Sequence, residues 1–286
     1  QLSYIPYAQL LQDPNLWLAE GTATWMEDTL YPAVNDYTQY VNQWVNYPQK
    51  SLFSSSTNDN RYGSVLFFKY LSQNYHQADD PDGAQVIRSI WTQAQDLDPV
   101  QAIQSFIQNQ TVNPMSGLQE AYLDFALKNI DFSKNYADGA LYHPLHYSSI
   151  SLKPEKGLPE ELAFTQDSFH SPAHFGSTYI EGTLESGWGL DRVNRLALNF
   201  QAAAPSPDTR WQLSLVLEED DGTYHVYDVS GNATGDTDFT KSDAATFSKA
   251  LLVVSAVPKA LQDLDAYNKK AFQCSVNSYL ATRLHS

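Results

Sequence analysis

The sequence predicts an α+β protein in which a helical region precedes an all-β domain. As far as Tyr136, apolar and aromatic residues recur at three- and four-residue intervals, which is typical of amphipathic helices. Towards the C-terminus apolar residues alternate with polar ones, which is the period of a strand. Pro, Ser, His and Gly are frequent between these regions. We therefore expect a helical domain over 1–136, a linker or interdomain crossing over 137–167, and a β-sandwich over 168–286.

Turn residues divide the helical region into separate helices. The first helix follows Asp13, which can accept a backbone N–H as its cap, and Pro14 suits the first helical position. Tyr31-Pro32 marks the end of this helix. Further helices are predicted at Asn35–Asn46, Arg61–Tyr75, Ala84–Gln95, Pro99–Gln108 and Leu118–Ile130.

β-Branched and aromatic residues predict strands in the C-terminal region. Asp220-Asp221-Gly222 separates two of them and is typical of a hairpin loop. Cys274 lies on the last strand and is expected to be a small buried residue. The predicted strands are Ser177–Thr183, Arg195–Phe200, Trp211–Glu218, Thr223–Val229, Lys249–Val257 and Lys270–Tyr279.

Composition limits the classes of partner. The 286 residues carry a formal net charge of −16, which opposes binding to nucleic acids and insertion into anionic membranes. Only 17% of residues are charged while Tyr, Asn, Gln, Ser and Thr are plentiful, so we expect a secreted or extracellular protein. The single cysteine excludes an intramolecular disulfide and a cysteine-based zinc cluster. No apolar run is long enough to span a bilayer.

The most specific stretch of the chain is Trp17–Asp28, with the sequence WLAEGTATWMED. Gly21 has no Cβ, so another helix or a ligand can approach the backbone closely there. Four residues recur at helical intervals and share one face of the helix: Trp17, Glu20, Thr24 and Glu27. A face that combines a tryptophan with two carboxylates is not an ordinary apolar stripe.

This stretch resembles the third-ligand helix of gluzincin zinc metallopeptidases, where a WLNEGFA-type sequence supplies a glutamate to zinc. Glu20 matches that glutamate. Downstream, TLYPAVNDYTQYVNQW and NRYGSVLFFKYL resemble segments that follow this helix in a group of secreted bacterial metalloproteases. The resemblance implies that 1–136 is a helical, gluzincin-like catalytic subdomain. It also implies a zinc ion held by Glu20 and two histidines of an HExxH helix, with a water in the open position that attacks a peptide carbonyl.

The HExxH motif itself does not occur in these residues. In aminopeptidase-like gluzincins the second histidine lies about eighteen to twenty residues before the third ligand, which places it at or before Gln1. We therefore expect this chain to be the portion of a metallopeptidase that follows HExxH. By itself such a chain should not hydrolyse peptides.

Tyr62 is the candidate catalytic residue. Related gluzincins place a tyrosine near a helix start to stabilise the oxyanion, and NRYGSVLFF resembles that segment. In the aminopeptidase pattern the tyrosine stands three residues before the glycine, a position that Asn60 holds here. Tyr62 and Arg61 therefore both remain candidates, and the alternative for Tyr62 is packing at the start of a helix.

Thr24 and Glu27 are candidates for the residues that orient a zinc-bound histidine. Each is placed to accept the remaining ring N–H of such a histidine. Asp28, one position round the helix, is a competitor for this role. The alternative is a solvated or capping role for these side chains.

Other candidate metal sites are weaker. The pairs His143/His146 and His170/His174 have helical spacing, but prolines interrupt them, and loop histidines are the simpler interpretation. The acidic segment Asp228–Asp238 lacks the spacing of a known calcium loop and is interpreted as a solvated turn. No GxSxG, GxGxxG or phosphate-loop motif is present.

A second hypothesis places the protein in a different class. The helical region would then be a degenerate peptidase scaffold, and the β-sandwich would be an extracellular module that binds glycan or protein. Trp188, Tyr224 and Tyr227 are the candidate stacking residues, although core packing is the usual fate of such side chains. The upstream sequence discriminates the two hypotheses, because only the peptidase hypothesis requires HExxH there.

Overall fold

The chain divides into two compact units in a computed structural model, which describes Leu11 and residues 14–55, 58–152, 160–165, 171–184, 193–202, 208–219, 221–230, 234–240, 247–264 and 272–280. The first unit contains Gln1–His146, Ala173–Gly176 and Val257–Asn268. The second contains Tyr147–Pro172, Ser177–Ala256 and Lys269–Ser286. Helices form the first unit and strands the second, so the predicted α+β fold class is confirmed.

Every predicted helix is present in the first unit. The helix predicted over Arg61–Tyr75 starts three residues earlier and is divided in two at Ser64. The described helices are α1 (Leu16–Leu30), α2 (Thr38–Trp44), α3 (Asn58–Gly63), α4 (Val65–Tyr75), α5 (Ala84–Gln93), α6 (Pro99–Gln108), α7 (Leu118–Lys128) and α8 (Phe132–Asn135). Within the described part of the chain, no helix has the length and apolar character needed to cross a membrane.

The helix starts follow local hydrogen-bonding rules to different extents. Helix α6 begins as its sequence predicts, because Pro99 occupies the first turn and the Asp98 side chain accepts the Val100 N–H at 2.9 Å. Helix α1 begins later than predicted, at Leu16, with Pro14 in the preceding turn. The predicted cap, Asp13, lies outside the described residues.

Aromatic side chains form the core of the helical unit. The Trp17 ring lies parallel to Phe68 at 6.2 Å and contacts Phe53 at 4.7 Å, measured between ring centroids. Phe67 and Phe125 meet edge to face at 5.2 Å. All five side chains are at most 3% exposed, so each contributes about 1.5–3 kcal/mol or more of apolar burial. Helices α1, α4 and α7 are therefore held around one apolar centre.

The second unit contains two sheets. The five-stranded sheet has the order β1-β3-β8-β5-β6, and the four-stranded sheet has the order β2-β9-β4-β7. Strands β1 and β3 are parallel, whereas β5 and β6 are antiparallel. The strands are β1 (Ser148–Leu152), β2 (Glu160–Thr165), β3 (Gly176–Leu184), β4 (Val193–Ala202), β5 (Thr209–Glu219), β6 (Tyr224–Asp228), β7 (Thr234–Thr240), β8 (Phe247–Pro258) and β9 (Phe272–Leu280). Two sheets in one unit are consistent with the predicted sandwich.

Three of these strands differ from the sequence prediction. Strands β1 and β2 lie inside 137–167, the stretch predicted to be a linker. Strand β7 occupies part of Asp228–Asp238, which was predicted to be a solvated turn, and it pairs antiparallel with β4 from Thr234 to Thr240. The polar composition of β1 and β7, SSISL and TGDTDFT, is typical of turns. Pairing with neighbouring strands supplies the stability that their own sequences do not indicate.

Candidate functional site

Glu20 lies on α1 where this helix meets the junction of α3 and α4. Its side chain is half-buried, and the next residue, Gly21, is buried. A Cβ at Gly21 would lie 2.1 Å from Ser64 Oγ and 2.8 Å from Phe68 Cε2, so only glycine fits without a shift. The sequence-based expectation of a close approach at Gly21 is confirmed, and the approaching element is the start of α4.

Side-chain hydrogen bonds fix the first turn of α1 against the segment before α3. The Ser55 hydroxyl accepts the Trp17 N–H at 3.2 Å and donates to the Pro14 carbonyl at 2.7 Å. The Arg61 guanidinium donates through Nε to the Ser55 carbonyl at 2.7 Å. The Ser64 hydroxyl donates to the Trp17 carbonyl at 2.9 Å. These contacts determine where Glu20 stands relative to α3, and they give Arg61 a structural partner.

Tyr62 of α3 lies beside Glu20. The negative charge of Glu20 is the main cause that raises the pKa of Tyr62, and burial and hydrogen bonding to the same carboxylate add to it. The Tyr62 ring stacks on Tyr40 of α2 with centroids 4.6 Å apart and planes inclined by 24°. The structure thus brings together Glu20 and Tyr62, and it adds Tyr40, which the sequence analysis did not single out.

Thr24 and Glu27 differ in their surroundings. Thr24 is buried, and its hydroxyl donates to the backbone carbonyl of Glu20 at 2.8 Å, so its proton is used within the helix. Glu27 is exposed and forms no ion pair with a described lysine or arginine. Thr24 therefore retains only acceptor capacity, while the Glu27 carboxylate is available to solvent or to a partner.

Asp28 belongs to a buried polar cluster. Lys69, in the middle of the apolar helix α4, donates to Asp28 Oδ2 and to Asp138 Oδ2, the latter at 2.8 Å. Its Nζ lies 4.3 Å from the centroid of the Tyr37 ring. The Tyr37 hydroxyl contacts Asp138 at 3.0 Å and the Tyr142 hydroxyl at 2.8 Å. Sequence analysis missed the cluster, although a lysine within an apolar run signals a buried charge that needs partners.

The remaining candidate metal residues do not form a described cluster. His143 and His146 are exposed and lie outside helices and strands, whereas His174 is fully buried in a turn. His170 lies outside the described residues. In the parts of the chain that the structure describes, no group of three or more His, Cys, Asp or Glu side chains is arranged to hold a metal ion. Among the described residues, Glu20 is therefore not part of a group of three or more such side chains.

Two of the three candidate stacking residues of the β domain, Tyr224 and Tyr227, lie on opposite faces of their strand. Tyr224 and Tyr227 are both half-exposed on β6, which pairs with β5 in regular register from Tyr224 to Asp228. Residues an odd number of positions apart on such a strand point to opposite faces of the sheet. Trp188 lies outside the described residues. The two tyrosines cannot form one stacking platform.

Comparisons with solved structures give only distant similarity. A Yersinia pseudotuberculosis-derived mitogen matches 45% of this chain and 92% of its own, at 9% identity and a TM-score of 0.28. The SPBc2 prophage-derived protein YomS matches 44% of this chain and all of its own, at 11% identity and a TM-score of 0.24. TM-scores of this size carry no argument about function.

Curated proteins and family models were also compared with the chain. No curated protein matches it. One family model, described as a family of unknown function, matches nearly the whole sequence, from residue 7 to residue 275. The chain therefore belongs to the DUF6055 family.

Proposed function

We propose that this chain is the part of a secreted zinc-dependent metallopeptidase that supplies the third zinc ligand, Glu20. The observation that carries the proposal is the position of Glu20 on α1, half-buried and directly beside the Tyr62 phenol. A carboxylate and a neutral hydrogen-bond donor at one place are groups that zinc-dependent peptide hydrolysis uses. The resemblance of WLAEGTATWMED to the gluzincin third-ligand helix gives this pair its proposed identity.

The surroundings of Glu20 suit a metal ligand. A carboxylate oxygen is an ordinary zinc ligand, and Glu20 forms no ion pair with a described lysine or arginine that would compete for its charge. The close contact between Gly21 and Ser64 holds the helix that carries it. Since HExxH does not occur in the 286 residues, we propose that the two histidine ligands belong to a segment N-terminal to Gln1.

Each proposed residue has a distinct task. Glu20 would hold a zinc ion through one carboxylate oxygen, and the chemistry that such an ion would supply is activation of a water molecule for attack on a peptide carbonyl. Tyr62, with a raised pKa, keeps its phenol proton and donates it as a hydrogen bond to the Glu20 carboxylate in this structure. With Glu20 engaged as a ligand, the same O–H would turn to the carbonyl oxygen as negative charge develops there. Thr24 supports the Glu20 backbone, and Glu27 has a free carboxylate that can accept an imidazole N–H.

The proposed location and substrate follow from the same argument. A protein or peptide substrate is implied by the metallopeptidase assignment. The net charge of −16 disfavours nucleic acid and anionic membrane surfaces as partners, and the polar, weakly charged composition supports an extracellular location. This location is part of the proposal and can be checked by fractionating the native host.

The experiment uses the protein produced with the sequence that precedes Gln1 in its gene. Zinc content, zinc affinity by chelator competition, and hydrolysis of an unstructured protein substrate are measured for the unaltered protein and for Glu20→Ala. We expect Glu20→Ala to lose most bound zinc and nearly all hydrolysis. Asp96→Asn, an exposed carboxylate change, is the matched control and should retain both. If Glu20→Ala leaves zinc affinity and hydrolysis unchanged, the proposal is wrong.

A further inference from the structure

Helix α1 carries a second apolar stripe, which faces away from the core of the helical unit. Met26 and Leu30 on this stripe are 43% and 62% exposed, and Ala23 is also exposed. Successive residues of this stripe are alternately three and four positions apart, which is the spacing of the apolar positions that pack one helix against another in a coiled coil. We call this stripe the α1 seam, and it consists of Leu16, Ala19, Ala23, Met26 and Leu30.

Helix α5 forms a second wall beside the α1 seam. Ile87 and Trp91 of α5 and Ala19, Ala23 and Met26 of α1 line a groove of about 370 Å³, and Leu11, which precedes α1, lines it as well. We call it the α1/α5 groove. Its lining is mainly apolar and open to solvent.

The α1/α5 groove is held in shape by hydrogen bonds. The indole N–H of Trp91 donates to the Thr22 hydroxyl at 3.1 Å. The Thr22 hydroxyl donates in turn to the Leu18 carbonyl at 2.7 Å. Both donors are used, so the Trp91 ring is fixed to α1 beside the groove. A partner therefore meets a preformed surface, which lowers the entropic cost of binding.

Opposite charges flank the groove. Glu20 and Glu27 follow the α1 seam on the side away from α5, at the positions that form interhelical salt bridges in coiled coils. Arg88 lines the α5 side, is exposed, and makes no ion pair with an acidic residue that the structure describes. The groove thus has an acidic border and a basic border.

We propose that the α1/α5 groove binds an amphipathic α-helix of another polypeptide, with basic residues along one flank and acidic residues along the other. The apolar seam of this helix would pack on Ala19, Ala23 and Met26. Its lysines or arginines would face Glu27, and its glutamates or aspartates would face Arg88. The two alanines leave room for the close approach that helix packing requires. The inference does not depend on the zinc proposal.

A second copy of the chain does not match this charge pattern. Helix α1 contains no lysine or arginine, so an antiparallel pair of α1 helices would place Glu20 and Glu27 against the same residues of the other copy. The net charge of −16 adds to the repulsion between copies. A heterologous helix of mixed charge has no such conflict.

The test uses two labelled helical peptides with leucine at the seam positions. One carries lysine on the flank that meets Glu27 and glutamate on the flank that meets Arg88, and the other has these charges exchanged. Binding to the 286-residue chain is measured by fluorescence anisotropy. We expect the first peptide to bind at least about tenfold more tightly than the second, and Arg88→Glu to reduce this preference.

Ala23→Asp tests the seam itself. It should weaken binding of the first peptide by about tenfold or more, because it places a charge in the apolar contact. Ala23 is exposed, and circular dichroism checks that the variant folds. Gln39→Asp, on the exposed surface of α2, adds the same charge elsewhere and should bind normally. Equal binding of both peptides, or no effect of Ala23→Asp, would overturn the proposal. So would a concentration-dependent dimer that Ala23→Asp abolishes, since the occupant would then be a second copy.

Discussion

Gly21 and Ser64 form the contact that sets the distance between α1 and the start of α4. A Cβ at Gly21 would lie 2.1 Å from Ser64 Oγ, which is far inside van der Waals contact. The Ser64 hydroxyl also lies 2.9 Å from the Trp17 carbonyl and 2.6 Å from the Arg61 carbonyl, and its one proton can be donated to either. Glu20 lies on α1 directly before Gly21, and Tyr62 lies on α3 two residues before Ser64, so the geometry of the candidate site depends on this contact.

Gly21→Ala should therefore destabilise the protein, although alanine is the better helix former by about 1 kcal/mol. Overpacking of this kind typically costs about 1–3 kcal/mol, because helix and side chains must shift to admit the methyl group. We expect a lower urea midpoint in equilibrium unfolding. Ala23→Gly, at an exposed position of the same helix, gives the effect of glycine alone. A Gly21→Ala variant more stable than the wild type would show that the helices are not in close contact.

The sequence predicted the need for a close approach at Gly21 but not the element that makes it. Glycine inside a helix costs stability, which indicates a packing reason. Ser64 carries no comparable signal, because a serine between two apolar runs is equally suited to a loop. Identifying it required the tertiary arrangement of α1 and α4. Glu20 and Tyr62 were each identified from a sequence motif. Tyr40, whose ring stacks on that of Tyr62, belongs to no motif that would have indicated it.

The same limit explains which strands were predicted. Trp211–Glu218 is rich in apolar and β-branched residues, and the structure extends this strand by only a few residues, to Thr209–Glu219. The segment Thr234–Thr240, TGDTDFT, is polar and glycine-containing, and its ladder with β4 was not predictable from it. Local propensity identifies strands that are apolar themselves. Strands that depend on a neighbour for their stability are missed.

Lys69→Met should destabilise the helical unit strongly. The Lys69 side chain is 7% exposed and the Asp28 side chain 8%, so removing the ammonium leaves a buried carboxylate without its counter-charge. Breaking such a pair typically costs about 3–5 kcal/mol in the free energy of unfolding. Lys134→Met is the control, because Lys134 is 55% exposed beside Asp131 and should change stability by less than about 1 kcal/mol.

A combined variant separates the charge effect from lost packing. Lys69→Met with Asp28→Asn and Asp138→Asn removes all three charges and should recover part of the lost stability. Urea unfolding at neutral pH measures the free energy of unfolding of the wild type, the two single variants and the combined variant. Equal stability of Lys69→Met and wild type would mean that the lysine is not buried between the two carboxylates in solution.

Asp138 should make stability depend on pH in the acid range. Burial acts to raise the pKa of this carboxyl, but the hydrogen bond and charge of Lys69 and the hydrogen bond from Tyr37 outweigh it, and the pKa is lowered. Below the ordinary aspartate pKa of about 3.9, the unfolded chain then binds more protons than the folded one, so stability falls as pH falls. The contribution is complete above that pH and is lost as pH drops through the folded-state pKa.

Asp138→Asn should flatten this part of the pH profile. The urea midpoint of the wild type is measured between neutral pH and about pH 3, a range that spans the ordinary pKa of aspartate. At neutral pH the urea midpoint of the variant should be lower than that of the wild type. On acidification the midpoint of the variant should fall less than that of the wild type. Asp96→Asn, at an exposed position, should retain the wild-type slope. An unchanged slope in Asp138→Asn would show that Asp138 does not carry this pH dependence.

Glu20→Gln should lower the pKa of Tyr62. The charge of Glu20 opposes formation of the phenolate, burial adds to this, and the carboxylate accepts from the phenol, so all three act to keep the proton on Tyr62. The amide removes the charge, and the pKa should move back towards that of an ordinary tyrosine. NMR titration of ring-labelled tyrosine measures it, and Tyr62→Phe identifies the signal by removing it. Glu27→Gln, on the same helix, should leave the titration unchanged, since Glu27 is not among the groups that shift Tyr62. If Glu20→Gln also leaves it unchanged, the two side chains are not adjacent in solution, and Tyr62 cannot serve a zinc site built on Glu20.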